Sequence, residues 1–391
     1  MKNGDFSRVI LVVLDGVGVG ALPDAMNYGD KNANTLLHVA EAVGGIDLPN
    51  LQRLGLGNIC QVPGLEPTPQ PEAAWGKMTE ISPGKDTTTG HWELAGLETV
   101  ESFASFPDGF PPEIIALFQQ QTGLEPIGNI AASGTDIIRD LGEEHVRSGR
   151  PIVYTSVDSV FQIAAHEEVI PPVELYNICR KLRPVLDTYR IGRIIARPFV
   201  GTSAENFSRT HRRHDFSMPP FAPTVLDQLV VAGFPVVGIG KIFDIFTGRG
   251  ISSSQSIVDN ADGMKKTVEV LGNTEKGLVF VNLVDFDMLY GHRNDADGFA
   301  RALIEFDSWL PQLQGVMGED DLLLLTADHG CDPTMPGTDH TREYVPVLAW
   351  HKQLQTGCRL GVRNSFRDIA ATTAGALGPP WHTGESFVDL L

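Results

Sequence analysis

Cysteine is scarce in this sequence. Its 391 residues hold only Cys60, Cys179, Cys331 and Cys358, far apart and never in a CxxC pair. That pattern suits reduced thiols in the cytoplasm rather than a disulfide framework. Basic residues are also outnumbered, 30 Lys and Arg against 49 Asp and Glu, for a formal charge of −19. A general nucleic-acid binder needs a basic footprint, so that class is excluded. Long apolar runs are missing as well. The N-terminal "VILVVL" spans six residues before Asp15, too short for a signal peptide or a membrane span. There is no internal repeat and no low-complexity tract. The expectation is a cytoplasmic protein whose partners are small molecules, with neither nucleic acid nor membrane among them.

What is present is a set of short apolar, β-branched runs: "VILVVL" at 9–14, "IVYTSV" at 152–157, "PVVGIG" at 235–240, "LVFVNLV" at 278–284, "DLLLLT" at 321–326 and "VPVLAW" at 345–350. Stretches with helical spacing alternate with them, such as "PPEIIALFQQQTG" and "DGFARALIEFDSWLPQL". Continuous apolar strands alternating with helices predict an α/β fold with a mainly parallel sheet covered on both faces. Two proline-rich stretches, "SFPDGFPPE" at 105–113 and "SMPPFAP" at 217–223, have the character of domain joints. Read as hinges, they make the chain a core in two parts, 1–99 and 219–391, with a domain inserted at 100–218.

Candidate chemistry collects where strands end. Asp15 closes the first apolar run. "LVFVNLVDFDMLYGHRND" leads into Asp285, Asp287 and His292, "DLLLLTADHGCDP" into Asp328 and His329, and "PGTDHTRE" adds Asp339 and His340. In open α/β sheets ligands bind beyond the carboxyl ends of strands. One such Asp reads as a cap; three, two with histidines nearby, read as the ligand set of a two-metal centre. Mixed Asp and His donors suit Mn, Zn or Fe(II), and paired metals suit phosphoryl displacement. Asp285 and Asp339 beside them are either supporting partners or surface charges. His38, His145, His166, His351 and His382 lie outside these motifs and read as surface or satisfied structural histidines. "SPGKDTTTGHWE" at 82–93 offers hydroxyls that either cap a helix or, beside metals, supply a nucleophile. Residues alone do not separate Thr87, Thr88 and Thr89. Six arginines between Arg190 and Arg213 form a basic cluster in an acidic chain, a suitable phosphate holder.

"LDGVGVG", "GKDTTTGHWE", "YTSVDSVFQIAAHEE", "GRIIARPFVG", "VNLVDFDMLYGHR" and "TADHGCDPTMPGTDHTREYVP" together resemble the prokaryotic phosphopentomutases of the alkaline-phosphatase superfamily, relatives of cofactor-independent phosphoglycerate mutase. The resemblance implies an alkaline-phosphatase-like core with an inserted α/β cap. It implies an isomerase exchanging α-D-ribose 1-phosphate and D-ribose 5-phosphate, and the 2-deoxyribose pair, through a 1,5-bisphosphate. Thr87 would carry the phosphoryl group. Asp287, His292 and His340 would hold one manganese ion; Asp15, Asp328 and His329, with the Thr87 oxygen, would hold the other. Asp158 would contact the sugar. Arg193, Arg209 and Lys241 would hold the distal phosphate, away from the metal ligands. A sugar bisphosphate, ribose 1,5-bisphosphate or glucose 1,6-bisphosphate, would prime the enzyme. A metal-dependent phosphomonoesterase on the same core is the alternative.

Overall fold

The computed structural model describes residues 4–156 and 159–391. It falls into two compact units, one formed by 1–101 with 219–391 and one by 102–218.

The strands, in chain order, are β1 (Arg8–Leu14) and β2 (Ala74–Met78) in the first segment; β3 (Ile127–Ala131), β4 (Ile152–Thr155), β5 (Val160–His166), β6 (Arg193–Val200), β7 (Ser208–Arg209) and β8 (His214–Ser217) in the inserted unit; and β9 (Val236–Ile239), β10 (Ser253–Gln255), β11 (Gly277–Leu283), β12 (Asp321–Thr326), β13 (Val345–Trp350) and β14 (Arg359–Arg363) in the last segment. All six apolar runs form strands. The larger unit has one eight-stranded sheet in the order β10-β9-β11-β1-β12-β13-β2-β14. It is parallel except where β13 runs against β12 and β2. Every residue of β1, β11 and β12 is buried, which is why these segments read as unbroken apolar runs rather than alternating ones.

The sheet order explains the clustering of strand-end carboxylates. β1 lies between β11 and β12, parallel to both, with Leu14 opposite Leu283 and Val13 opposite Thr326. Asp15, Asp328 and the turn holding Asp287 therefore leave the same edge of three neighbouring strands.

The inserted unit has its own mixed sheet, β3-β4-β5-β6-β7, with β8 also paired to β6. Its core packs Phe110, Phe118 and Phe161 against Leu175, Ile178, Leu182 and Leu186 of the helix Pro172–Leu186. Those helix positions recur every three to four residues, the spacing of one buried face. The stretch 105–113 is not a free joint, because Phe110 is buried and Phe106 packs on that core. No helix among the described residues is long and apolar enough to cross a membrane.

Candidate two-metal active site

Asp15, Asp287, Asp328 and His329 are delivered by the turns after strands, His292 by the 3-10 turn Gly291–Arg293 and His340 by the loop leading into β13. Asp15 follows β1, and Gly16 beyond it takes a left-handed φ of 82°, donating its N–H to Asp328 Oδ1 at 3.2 Å. Asp287 sits in a π-helical turn, Phe286–Tyr290, after β11, a wide turn often found at functional sites. Asp328 and His329 follow β12.

The six expected ligands come together. His329 Nε2 lies 3.3 Å from both Asp15 Oδ1 and Asp328 Oδ2. His340 Nε2 and His292 Nε2 lie 3.2 Å and 3.4 Å from Asp287 Oδ1. The His329 and His340 rings are 4.1 Å apart between centroids. Asp15, Asp328 and His329 form one group able to hold a cation; Asp287, His329 and His340 form a second; and Asp287, His292 and Cys331 a third. Cys331, beside Asp287, carried no signal in the sequence beyond its neighbourhood to "TADHG".

These residues fit metal binding on two counts. Asp15 Oδ1, Asp287 Oδ1, Asp328 Oδ2 and His340 Nε2 are buried and have no hydrogen-bond partner among the described residues, although buried polar atoms are normally satisfied. Donor separations near 3.3 Å are also those spanned by ligands about 2.0–2.2 Å from one shared ion. The imidazoles are oriented for it. His292 Nδ1 donates to Thr338 O at 2.6 Å and His329 Nδ1 to Gly330 O at 3.0 Å. Because a carbonyl only accepts, each Nδ1 carries a proton and each Nε2 faces the cluster.

The electrostatics follow from that crowding. Burial pushes the Asp287 carboxyl up, but His340, His329 and His292 outweigh it and hold it below the usual carboxylate range. Burial likewise opposes Asp328, yet His329 and His91 bring it down to about 2. His329 is lowered by burial and raised further by Asp328 and Asp15, so it ends well above an ordinary imidazole. Burial, reinforced by Asp287, raises the Cys331 thiol.

The threonine cluster serves both readings with different residues. The helix Thr87–Leu94 is capped by Asp86, whose side chain accepts from Thr89 N at 3.1 Å. Thr89 Oγ1 donates back to Asp86 Oδ2 at 2.6 Å. Thr87 Oγ1 instead lies 3.2 Å from His329 Nε2, at the rim of the Asp15, Asp328 and His329 group. Two buried or half-buried cations brace the approach to it. Arg342 Nη1 donates to Glu80 Oε2, Ser82 O and Gly84 O at 2.6, 2.8 and 2.6 Å. Lys85 Nζ lies 3.1 Å from Asp30 Oδ2 and 2.9 Å from Asp339 Oδ2. Asp339, though largely exposed, also accepts from His340 N at 2.8 Å, and Asp285 is buried and accepts from Asn260 N at 2.7 Å.

The expected substrate-binding residues are divided between the two units of the chain. Lys241 does not stand away from the metal ligands as expected: its ammonium is 3.8 Å from Asp15 Oδ2. The cause is strand order, since Lys241 follows β9, which neighbours β11. Arg193 and Arg209 belong to the inserted unit. Arg193 lines a cavity of about 260 Å³ with Arg197, Arg213, Gln162 and Ser133; Arg209 Nη1 packs beside Gly134 at the start of the helix Gly134–Ser148. Within the basic cluster Arg212 pairs with Glu167 and Arg213 with Asp215. Asp158 lies outside the described residues. His145 and His166 are hydrogen-bonded as structural histidines, and His38 pairs with Asp332. His351 departs from that expectation, being buried with neither ring nitrogen bonded among the described residues.

The fold and the cluster define a class first. The family model described as Metalloenzyme superfamily matches residues 7–379. A solved protein structure from Pyrococcus horikoshii, 16% identical, shares the fold with a TM-score of 0.50 over 97% of this chain and 99% of that one. The chain is a member of that superfamily, with its alkaline-phosphatase-like fold. Phosphopentomutases from Syntrophotalea carbinolica and Caldanaerobacter subterraneus are 60% and 55% identical to it, over 99% and 97% of this chain and 98% and 97% of their own. Within the superfamily, this chain belongs to the phosphopentomutase family.

Proposed function

We propose that the chain interconverts α-D-ribose 1-phosphate and D-ribose 5-phosphate, and the corresponding 2-deoxyribose phosphates, with Thr87 as the phosphoryl carrier. The carrying observation is the 3.2 Å approach of the Thr87 hydroxyl to His329 in a chain 60% identical to a phosphopentomutase. Asp287, His292 and His340 would hold one ion, and Asp15, Asp328 and His329 the other. Mn²⁺ suits these mixed donors. Bound there, the ions would supply charge neutralisation and a lowered alcohol pKa.

In the proposed cycle phospho-Thr87 gives its phosphoryl group to ribose 5-phosphate. The Thr87 Oγ–P bond breaks as a bond from phosphorus to the sugar's O1 forms, and the product is a 1,5-bisphosphate. The 5-phosphoryl group then passes to Thr87, leaving ribose 1-phosphate and the regenerated phosphoenzyme. A sugar bisphosphate primes a chain that has lost its phosphate. Arg193 and Arg209 bind the phosphate that is not reacting, with Asp158 on the sugar. Lys241, beside Asp15, contributes its charge at the reacting end. The inserted unit, near 100–218, acts as the cap, and free thiols at all four cysteines fit a cytoplasmic setting.

The test is a coupled assay of purified protein with Mn²⁺ and ribose 1-phosphate, with and without a bisphosphate primer. Peptide mass analysis then locates the phosphate. Turnover stimulated by primer with phosphate on Thr87 supports the reading. Phosphate on Thr88 or Thr89, or release of inorganic phosphate in place of isomer, refutes it.

A further inference from the structure

His91 stands one helical turn beyond Thr87 and is fully buried. Its Nδ1 is 2.9 Å from the Thr87 carbonyl oxygen and 3.0 Å from Asp328 Oδ2. Both neighbours are acceptors, so Nδ1 carries a proton. The N–H is directed at the Thr87 carbonyl. Asp328 Oδ2 flanks it at 3.0 Å and has no other hydrogen-bond donor among the described residues. On the other side of the ring, Nε2 is buried without a partner among the described residues and the ring stacks on Phe280, centroids 5.7 Å apart. Among the described residues one ring nitrogen is thus unsatisfied while the other lies between these two oxygens.

Gly90 adds an independent fact about the same contact. A Cβ built there would stand 2.1 Å from the Asp328 carbonyl oxygen. The helix therefore rests directly on the backbone of Asp328, and a glycine followed by a histidine is what that seat requires: no side chain at the contact, then a donor beside it.

We propose that His91 is a positioning residue that locks the helical turn carrying Thr87 to Asp328. It fixes where the Thr87 hydroxyl stands relative to the Asp15, Asp328 and His329 group, and it orients the Asp328 carboxylate. The proposal rests on reading those three residues as metal ligands. Partners that orient a ligand in this way typically contribute about 10- to 100-fold in metal affinity or activity.

The experiment compares full-length wild type with His91→Leu, which removes the donor, and His91→Asn, whose amide nitrogen falls near the Nδ1 position. Mn²⁺ binding is titrated by the EPR signal of the free ion, and kcat and KM are measured with ribose 1-phosphate. His91→Leu should weaken one Mn²⁺ site by about 10- to 100-fold and lower kcat by a similar factor, with little change in KM. His91→Asn should recover most of both. Should the Leu variant fail to fold, His91→Gln, whose donor falls on the Nε2 side, takes its place. A folded donor-free variant that binds both ions as wild type does, or an Asn variant no better than it, overturns the assignment. A wild-type chain that takes up no Mn²⁺ refutes the metal-centre reading, and the role of His91 with it.

Discussion

Replacing Gly90 by alanine sets two effects of known sign against each other. Gly90 lies inside a helix and its φ is not left-handed. Alanine is therefore conformationally allowed and would favour the helix by about 1 kcal/mol. Its Cβ, however, would meet the Asp328 carbonyl oxygen at 2.1 Å, where real Cβ contacts essentially never fall below 3.0 Å. The helix must retreat by at least about 0.9 Å. Neither partner is a flexible side chain, since the contact is to backbone. Overpacking of this kind costs about 1–3 kcal/mol, so net stability should fall by roughly 0–2 kcal/mol after the helix gain. Activity should fall much further. A displacement near 1 Å of a reacting group can cost about 100-fold in rate, and this one moves the turn that carries Thr87. The assay is kcat with ribose 1-phosphate and the extent of Thr87 phosphorylation after priming, with thermal unfolding as a control. A Gly90→Ala protein that is more stable than wild type and turns over normally would refute the seat of this helix on Asp328.

Asp328→Asn or His340→Ala should each lower Mn²⁺ content and activity, because each removes a proposed ligand; full metal content in either variant would remove that residue from the site. Arg209→Ala should leave metal binding and Thr87 phosphorylation largely intact while reducing isomerisation. With ³²P-labelled phosphoenzyme chased by ribose 5-phosphate, more label should appear in inorganic phosphate, and wild-type partitioning would show that Arg209 is not a clamp. His145 should make stability pH-dependent in one direction. Burial lowers its pKa, the Arg150 carbonyl opposes that, and His166 adds to the lowering. Its Nε2 accepts from His166 N at 2.8 Å, so the folded state favours the neutral ring. A depressed pKa gives stability present above the unfolded value near 6.5 and lost as pH falls below it. His145→Gln keeps an acceptor without titrating, so its midpoint should fall less steeply from pH 7 to 5; parallel slopes would exclude the effect.

Asp15, Asp287 and Asp328 were legible in the sequence because each follows a buried parallel strand, and such strands announce themselves as apolar runs. β2 and β14 were not, since Gly76 and Gly361 interrupt weakly apolar stretches at one side of the sheet. Thr87 could not be told from Thr89 by pattern, because the choice depends on which hydroxyl the cap at Asp86 takes. The nearness of Lys241 to Asp15 was hidden for a different reason: the order β9-β11-β1 brings them together, and sequence distance carries no trace of strand order. His91 and Arg342 gave no signal either, as a buried histidine or arginine acts through neighbours that are 237 and 262 positions away.

The split of the larger unit between residues 1–101 and 219–391 bears on how the polypeptide is born. β1, wholly apolar at its centre, takes β11 and β12 as its strand partners among the described residues, and these begin at Gly277 and Asp321. At about 5–20 residues per second, its first partner leaves the ribosome roughly 10–50 s after β1 itself. Through that interval the nascent chain carries an unpaired strand edge, while the unit at 102–218 has all the chain it needs to fold. Long-range pairing of this kind is slow and exposed to aggregation. Chains released before Asp321 should therefore collect as insoluble fragments, and full-length yield should depend on chaperones that shield β1 until its neighbours arrive.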